Sequence, residues 1–343
     1  MQRGSSKFKA LSGMLPSEKV AACYCALTLL LMLVMANRLV EPMAMLMMRA
    51  EWICVTLALI GLHYLFKRRY PASQVMQSLF VLLRTAAQLT WLILWYPDTY
   101  EFNRSFHNLD HFFARADFQL FGCQPSLEFY DLLPSPVWSE AFNLGYWSYY
   151  PMIALLVAVL FFFPNTKHRQ QGVAVAPYDS RSQFSLASAT ILTSFFLFYA
   201  IYIFLPVAGP QYYFQAVGID QINGGHFPVL GTYFSSHTEA MPPSGYVDGF
   251  FYQLVAGAQE AGERPTAAFP SSHIGVSTIV LLLACRYRPK LLWLYLPLWA
   301  LLCCATVYIR AHYLVDAIAG LITAPIELWI ASRLLRPLFP TET

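Results

Sequence analysis

AFPSSHIGVSTIVLLLACRYRPKLLWLYLPLWALLCCATVYIRAHYLVDAIAG, residues 268–320, decides how the rest of the chain is read. Polar residues open it at Ser271, Ser272 and His273. An apolar run follows, then the basic turn Arg286, Arg288 and Lys290, then a second apolar run. Arg310, His312 and Asp316 close the stretch at the start of a third run. Two apolar runs joined by a short turn read as a helical hairpin, which returns His312 to the end of the bundle that holds His273. Ionisable groups in such positions are expensive in lipid unless they have partners or chemistry to perform.

Outward from this hairpin, the 343 residues are 57% hydrophobic and only 12% charged. Soluble domains average about 25% charged residues, so the composition points to an integral membrane protein. A hydrocarbon core about 30 Å thick needs roughly 20 apolar residues in a helix. About eight such spans are expected, near 20–36, 52–66, 75–96, 144–163, 185–206, 270–285, 291–309 and 313–333. The first is preceded by Lys7, Lys9 and Lys19 and lacks a small-residue cleavage site, so it reads as a retained span. The chain then reads as one membrane domain, 1–343, an all-α polytopic helix bundle with a catalytic helical core at 185–335. A net charge of +3 gives no reason to expect nucleic acid. Seven cysteines with no C-x-x-C pair read as small apolar residues rather than a disulfide or metal framework.

Loop charges orient the bundle. With a cytoplasmic N-terminus, one side collects Lys7, Lys9, Lys19, Lys67, Lys167 and Lys290, which are all the lysines of the chain. Arg68, Arg69, Arg286, Arg288, Arg333 and Arg336 join them, as the positive-inside rule expects. His273 and His312 fall on the opposite, outer side, together with two long segments, 97–143 and 207–268. In the first, Phe102, Phe106, Leu109, Phe113, Ala116 and Leu120 recur at helical spacing, while Arg104, His107, Asp110, His111 and Arg115 lie off that stripe. This predicts an amphipathic helix, either lying in the interface or packed over the bundle mouth. The second is rich in glycine, proline and aromatics and predicts an ordered cap over the outer helix ends. Within the spans, Arg84 reads either as a headgroup ligand or as a structural pairing inside the bundle.

His312 and Asp316 are four residues apart, one helical turn on one face. A carboxylate there is expected to accept the imidazole Nδ1–H, fix the tautomer and free Nε2 as a nucleophile. Arg310 offers a planar fork to phosphate oxygens. Pro270-Ser271-Ser272-His273 reads as a capped helix start, whose free N–H groups favour anions and where His273 can protonate a leaving group. A zinc site built on these residues would need reserve ligands from His107, His111, His226 or His237, which read better as solvated loop histidines.

These motifs carry a resemblance. Phe269-Pro-Ser-Ser-His273 followed by His312-Tyr-Leu-Val-Asp316-Ala-Ile-Ala-Gly320 resembles the second and third motifs of the type-2 phosphatidic acid phosphatase superfamily. The likeness is closer to its inositol phosphorylceramide synthase and sphingolipid synthase branch, in view of the His-Tyr-x-x-Asp pattern, Tyr308, and Pro206-Val-Ala-Gly-Pro210 before the long loop. The resemblance implies that His312 attacks phosphorus, Asp316 orients it, His273 protonates the leaving alcohol, and Ser271 with Ser272 meets the phosphate. It implies no metal and no organic cofactor. The chain departs from the phosphatase pattern: Gly257 stands at the first-motif lysine, Thr306 at a third-motif arginine and Ser272 at a second-motif glycine. Arg264 and Arg310 are the expected replacements in the phosphate cradle.

The resulting expectation is a membrane enzyme that cleaves a lipid phosphoester through a phosphohistidine. It would pass the phosphoryl or phospho-headgroup, for example phosphoinositol, to a lipid alcohol such as a ceramide-like acceptor. Water as acceptor would make it a lipid phosphate phosphatase, and a transporter or idle scaffold is the reading from another class. The expected setting is a bacterial inner membrane with the site facing the periplasm, or the lumen in a eukaryote.

Overall fold

A computed structural model of the chain describes residues 13–163 and 183–339. Among the described residues there are fourteen α-helices and no strand. In chain order they are α1 (Pro16–Val34), α2 (Pro42–Arg69), α3 (Gln74–Asn103), α4 (Asp110–Phe121), α5 (Pro125–Leu132), α6 (Pro136–Trp147) and α7 (Tyr149–Phe162). Then come α8 (Gln183–Phe204), α9 (Pro210–Val217), α10 (Ile219–Asn223), α11 (Phe250–Gly262), α12 (Ser272–Tyr287), α13 (Leu292–Tyr308) and α14 (Leu314–Leu335). Lys167, with the rest of 164–182, and the first twelve residues lie outside the described residues.

Six helices (α1, α2, α3, α8, α13 and α14) are long and apolar enough to cross a membrane. The protein is an all-α integral membrane helix bundle. Helices α6 and α7 are long and apolar enough for a seventh span only when taken as a pair, bent by 47° at their junction. Pro151 explains the break: with no N–H, it cannot continue the α6 ladder to the carbonyl of Trp147. The eighth expected span, 270–285, is the 16-residue helix α12. At 1.5 Å per residue it covers about 24 Å, short of a full hydrocarbon core.

The chain divides into two compact units. The first joins residues 1–95, 157–196 and 330–343. Inside it Arg84 and Glu18 form a buried bidentate pair, with Nε–Oε1 at 2.7 Å and Nη2–Oε2 at 2.6 Å. Arg84 also reaches the Gly13 carbonyl at 2.8 Å and His63 at 3.0 Å. Of the two readings of Arg84, the structure displays the pairing inside the bundle. Trp52 donates to Gln88 at 2.8 Å beside it, and Tyr24 stacks on Phe196 at 4.0 Å.

The second unit joins residues 96–156 and 197–329 and contains every candidate catalytic residue. Helix α6 lies tight on α13, because a Cβ at Gly145 would stand 2.6 Å from the Leu301 backbone. Tyr295 ties α13 to α7 through the Met152 carbonyl at 2.7 Å. The segment 207–268 is ordered, as its aromatics predict: Tyr212, Tyr213, Phe214, Phe227 and Phe234 form a core with Ala114 and Tyr313.

Helix α4 corrects the amphipathic reading. Its buried residues are Asp110, His111, Ala114 and Asp117, while Phe112, Leu120 and Phe121 are exposed. Asp110, His111 and Asp117 therefore face the protein beside Phe113 and Phe118, which pack on the same core, while Arg115 is exposed. Asp110 and Asp117 turn inward because backbone N–H groups await them there, so α4 packs on the protein by a face of mixed polarity.

Candidate active site

The start of α12 is held on three sides. Ser271 caps the helix, its Oγ accepting from the Ile274 N–H at 3.4 Å. The Ser271 N–H donates to the Asp316 carbonyl at 3.1 Å. The Tyr202 hydroxyl donates to the Pro270 carbonyl at 2.9 Å and accepts from the Ser272 N–H at 3.0 Å. The Phe269–Pro270 bond is cis. His273 follows in the first turn, its ring against Tyr146 at 4.6 Å and Tyr149 at 4.7 Å. Its Nδ1 is buried without a hydrogen-bond partner among the described residues.

His312 sits in the short connection between α13 and α14, 3% exposed. Its N–H donates to the Thr306 carbonyl at 3.0 Å. Its Nδ1 lies 2.7 Å from the carbonyl oxygen of Ala268. A carbonyl can only accept, so Nδ1 carries the proton and Nε2 keeps its lone pair. This corrects the expected pairing: the Asp316 Oδ2 is 3.9 Å from Nδ1 and instead accepts from the Tyr313 N–H at 3.0 Å. The tautomer is thus set by a backbone carbonyl from the other motif. Asp316 contributes a nearby carboxylate, whose Oδ1 has no hydrogen-bond partner among the described residues. Burial pushes the His312 imidazole down to about 4, against the opposing pull of the Ala268 hydrogen bond. It is therefore uncharged near neutral pH. The rings of His273 and His312 stand 5.8 Å apart at 67°.

Close approaches fix this geometry. A Cβ at Gly320 would stand 2.6 Å from the Ser271 carbonyl oxygen, so only glycine lets α14 lie this near the start of α12. Gly209, at φ 100°, faces the Ala311 carbonyl, where a Cβ would come to 2.8 Å. The Ala268 N–H donates to the Val207 carbonyl at 3.0 Å, and the Gln211 N–H donates to the Arg310 carbonyl at 3.1 Å. The 206–210 element thus braces both ends of the His312–Ala268 hydrogen bond.

Two residues to which the sequence gives no role in the site complete the brace. The Asp110 carboxylate accepts from the Ala208 N–H at 2.6 Å, the Gly209 N–H at 2.8 Å and the Tyr313 hydroxyl at 2.9 Å. The Asp117 carboxylate accepts from the Leu314 and Val315 N–H groups at 2.8 and 2.9 Å. These are first-turn donors of α14 that have no partner inside their own helix. Burial raises both carboxyls to about 6, their hydrogen bonds opposing. Their seven-residue separation on one face of α4 was the available signal.

The expected phosphate ligands fare differently. Ser271 is fully buried and Ser272 half-buried beside His273. Arg264 is half-buried, with Nη1 on the Glu263 carbonyl at 2.8 Å. Arg310 lines a separate polar pocket with Gln124, Glu128 and Asp131, to which neither histidine contributes. His107, His226 and His237 are exposed, and His111 is buried beside Phe112. Among the described residues no three His, Cys, Asp or Glu side chains group as metal ligands.

A neutral imidazole with a locked Nδ1–H, a second histidine beside it and a carboxylate behind it can perform nucleophilic displacement with proton transfer. The family model described as the PAP2 superfamily matches residues 118–330. The chain belongs to that superfamily, the type-2 phosphatidic acid phosphatases, whose chemistry is that of lipid phosphatases and phosphotransferases. No curated protein and no solved structure matches the chain.

Proposed function

We propose that the protein cleaves a lipid phosphoester through a phosphohistidine and passes the phosphoryl or phospho-headgroup to a lipid alcohol, in the manner of an inositol phosphorylceramide synthase. The His312 Nε2 lone pair attacks phosphorus. The P–O bond to the leaving alcohol breaks, and His273 gives that oxygen its proton. The acceptor hydroxyl then attacks phosphorus, the N–P bond breaks, and the acceptor proton passes to His273. Asp316 stabilises the charge on the His312 ring from 3.9 Å. A bound phosphodiester favours the imidazolium form of His273 that the first step needs. Ser271, Ser272 and Arg264 are the proposed contacts to phosphate.

The observation that carries this reading is the Nδ1–Ala268 hydrogen bond of 2.7 Å, which leaves Nε2 as the free nucleophile. The incomplete arginine cradle supports a phosphodiester, which carries less charge than a phosphomonoester, as the donor. Within this reading the site faces the periplasm of a bacterial inner membrane, or the lumen. Basic residues support that side: Arg286 ends α12, the helix that His273 opens. The test is a phospholipid labelled in its headgroup, incubated with and without a ceramide or diacylglycerol acceptor. A labelled lipid product that depends on the acceptor supports transfer. Inorganic phosphate as the sole product overturns it.

A further inference from the structure

Two cavities of the second unit share Cys123 and Glu128 in their walls, at the corner between α4 and α5. One is an apolar groove of about 410 Å³ whose walls include Phe129, Ile274, Cys304, Val307, Ala317 and Leu321. It runs along α14 from Leu314 to Leu321, about 10 Å at 1.5 Å per residue. The other is a polar pocket of about 330 Å³ beyond the helix ends, walled by Gln124, Glu128, Asp131, Asn223 and Arg310. A polar pocket that shares Cys123 and Glu128 with the wall of an apolar groove along a span has the layout of a lipid: head in the one, chain in the other.

Two unsatisfied groups show what the head must offer. Gln124 is 3% exposed, and its Nε2 donates to the Ala114 carbonyl at 2.7 Å. Among the described residues its Oε1 is buried with no donor, and the Nε of Arg310 is buried with no acceptor. Arg310 itself is held at φ 64°, a conformation that side chains seldom adopt. A buried donor and a buried acceptor left open in one pocket are costly unless a ligand meets them. A hydroxyl has what each lacks, a hydrogen for Oε1 and a lone pair for Nε. Glu128 and Asp131 outnumber Arg310, so a phosphomonoester headgroup would be repelled and an uncharged one would not.

We infer that this paired cavity is a second lipid site, which binds an uncharged lipid alcohol with its hydroxyl between Gln124 and Arg310 and an acyl chain along α14. Neither His273 nor His312 lines it. The ligand class is that of the acceptor proposed above, but the site stands on its own geometry, and its test reads binding rather than turnover.

The probe is diacylglycerol with a diazirine in one acyl chain, photolysed with the detergent-purified protein and mapped by mass spectrometry. Label is expected on 303–307 and 314–321, displaced at least tenfold more readily by unlabelled diacylglycerol than by its hydroxyl-acetylated form or by phosphatidic acid. Gln124→Leu should weaken labelling about tenfold, the loss of one hydrogen bond. Cys304→Trp should abolish it by filling the groove. Both variants are checked for folding by melting and gel filtration, and the competition on the wild type decides alone if either fails. Label spread evenly over the lipid-facing helices overturns the inference. So does equal displacement by the acetylated lipid, or labelling unchanged in both folded variants.

Discussion

Asp117 tests how the connection carrying His312 is held. Its carboxylate accepts from the Leu314 and Val315 N–H groups at the start of α14, at 2.8 and 2.9 Å. Asp117→Ala orphans both donors, at ~1–3 kcal/mol each, or ~4 kcal/mol together. Asp117→Asn keeps one acceptor and orphans one donor, at ~2 kcal/mol. Ionisation works against these figures. Burial holds the carboxyl at about 6 rather than 3.8. A raised carboxyl stabilises the fold fully below 3.8 and loses that contribution as pH rises through about 6. At ~1.36 kcal/mol per pH unit, the loss is ~3 kcal/mol at pH 7.5 and ~1 kcal/mol at pH 4.5. Removing the carboxylate relieves that loss. Asp117→Ala should therefore destabilise by ~1 kcal/mol at pH 7.5 and ~3 kcal/mol at pH 4.5. Asp117→Asn should lie ~2 kcal/mol above it at both. The assay is unfolding of the detergent-solubilised protein at the two pH values. A penalty that is flat with pH, or that grows on alkalisation, refutes the reasoning, as does equality of the two variants.

Other perturbations separate the remaining contacts. Gly320→Ala sets a Cβ against the Ser271 carbonyl at 2.6 Å and must push α14 from α12. A shift near 1 Å should lower kcat about 100-fold, and a wild-type rate would contradict the close approach. Asp316→Asn should lower kcat more than it raises KM, because its carboxylate acts on charge that appears on His312 during reaction; an unchanged maximal rate counts against that role. Arg84→Met alone should destabilise by ~3–5 kcal/mol by stranding buried Glu18, whereas Arg84→Met with Glu18→Leu should recover most of that. Melting temperatures of the two variants decide it, and equal losses would deny the pairing.

The helical hairpin, the helix cap at Ser271 and the gathering of His273, His312 and Asp316 at one end were legible, because periodicity and i,i+4 spacing are local properties of the chain. The partner of His312 Nδ1 was not. Ala268 offers only a carbonyl, which every residue has, and its position depends on how 206–210 and 266–270 run beside each other. Asp110 and Asp117 were hidden for a related reason. Their acceptors' targets lie 98 to 203 residues along the chain, and an apolar stripe on α4 suggested that the other face would be the buried one. Backbone N–H groups at Gly209 and at the start of α14 draw the carboxylates inward beside Phe113 and Phe118, and Phe112 and Phe121 are left exposed. The expected span 270–285 is as short as α12 itself, and apolar composition alone does not separate a helix of that length from a full crossing. Closeness in sequence to His312 suggests Arg310 for phosphate, but sequence does not show that Arg310 takes a positive φ of 64° or that it lines the pocket of Gln124, Glu128 and Asp131.

The central claim is that His312 Nε2 becomes covalently bonded to phosphorus. The direct measurement is rapid acid-free quenching of the enzyme with a phospholipid labelled at phosphorus, followed by mapping of the label. The account predicts alkali-stable, acid-labile label on the peptide containing His312. It should be absent in His312→Ala, and in His273→Ala it should form slowly from the native lipid but readily from one with a more acidic leaving alcohol. Turnover with normal expression and no such label, or label that persists in His312→Ala, would contradict it.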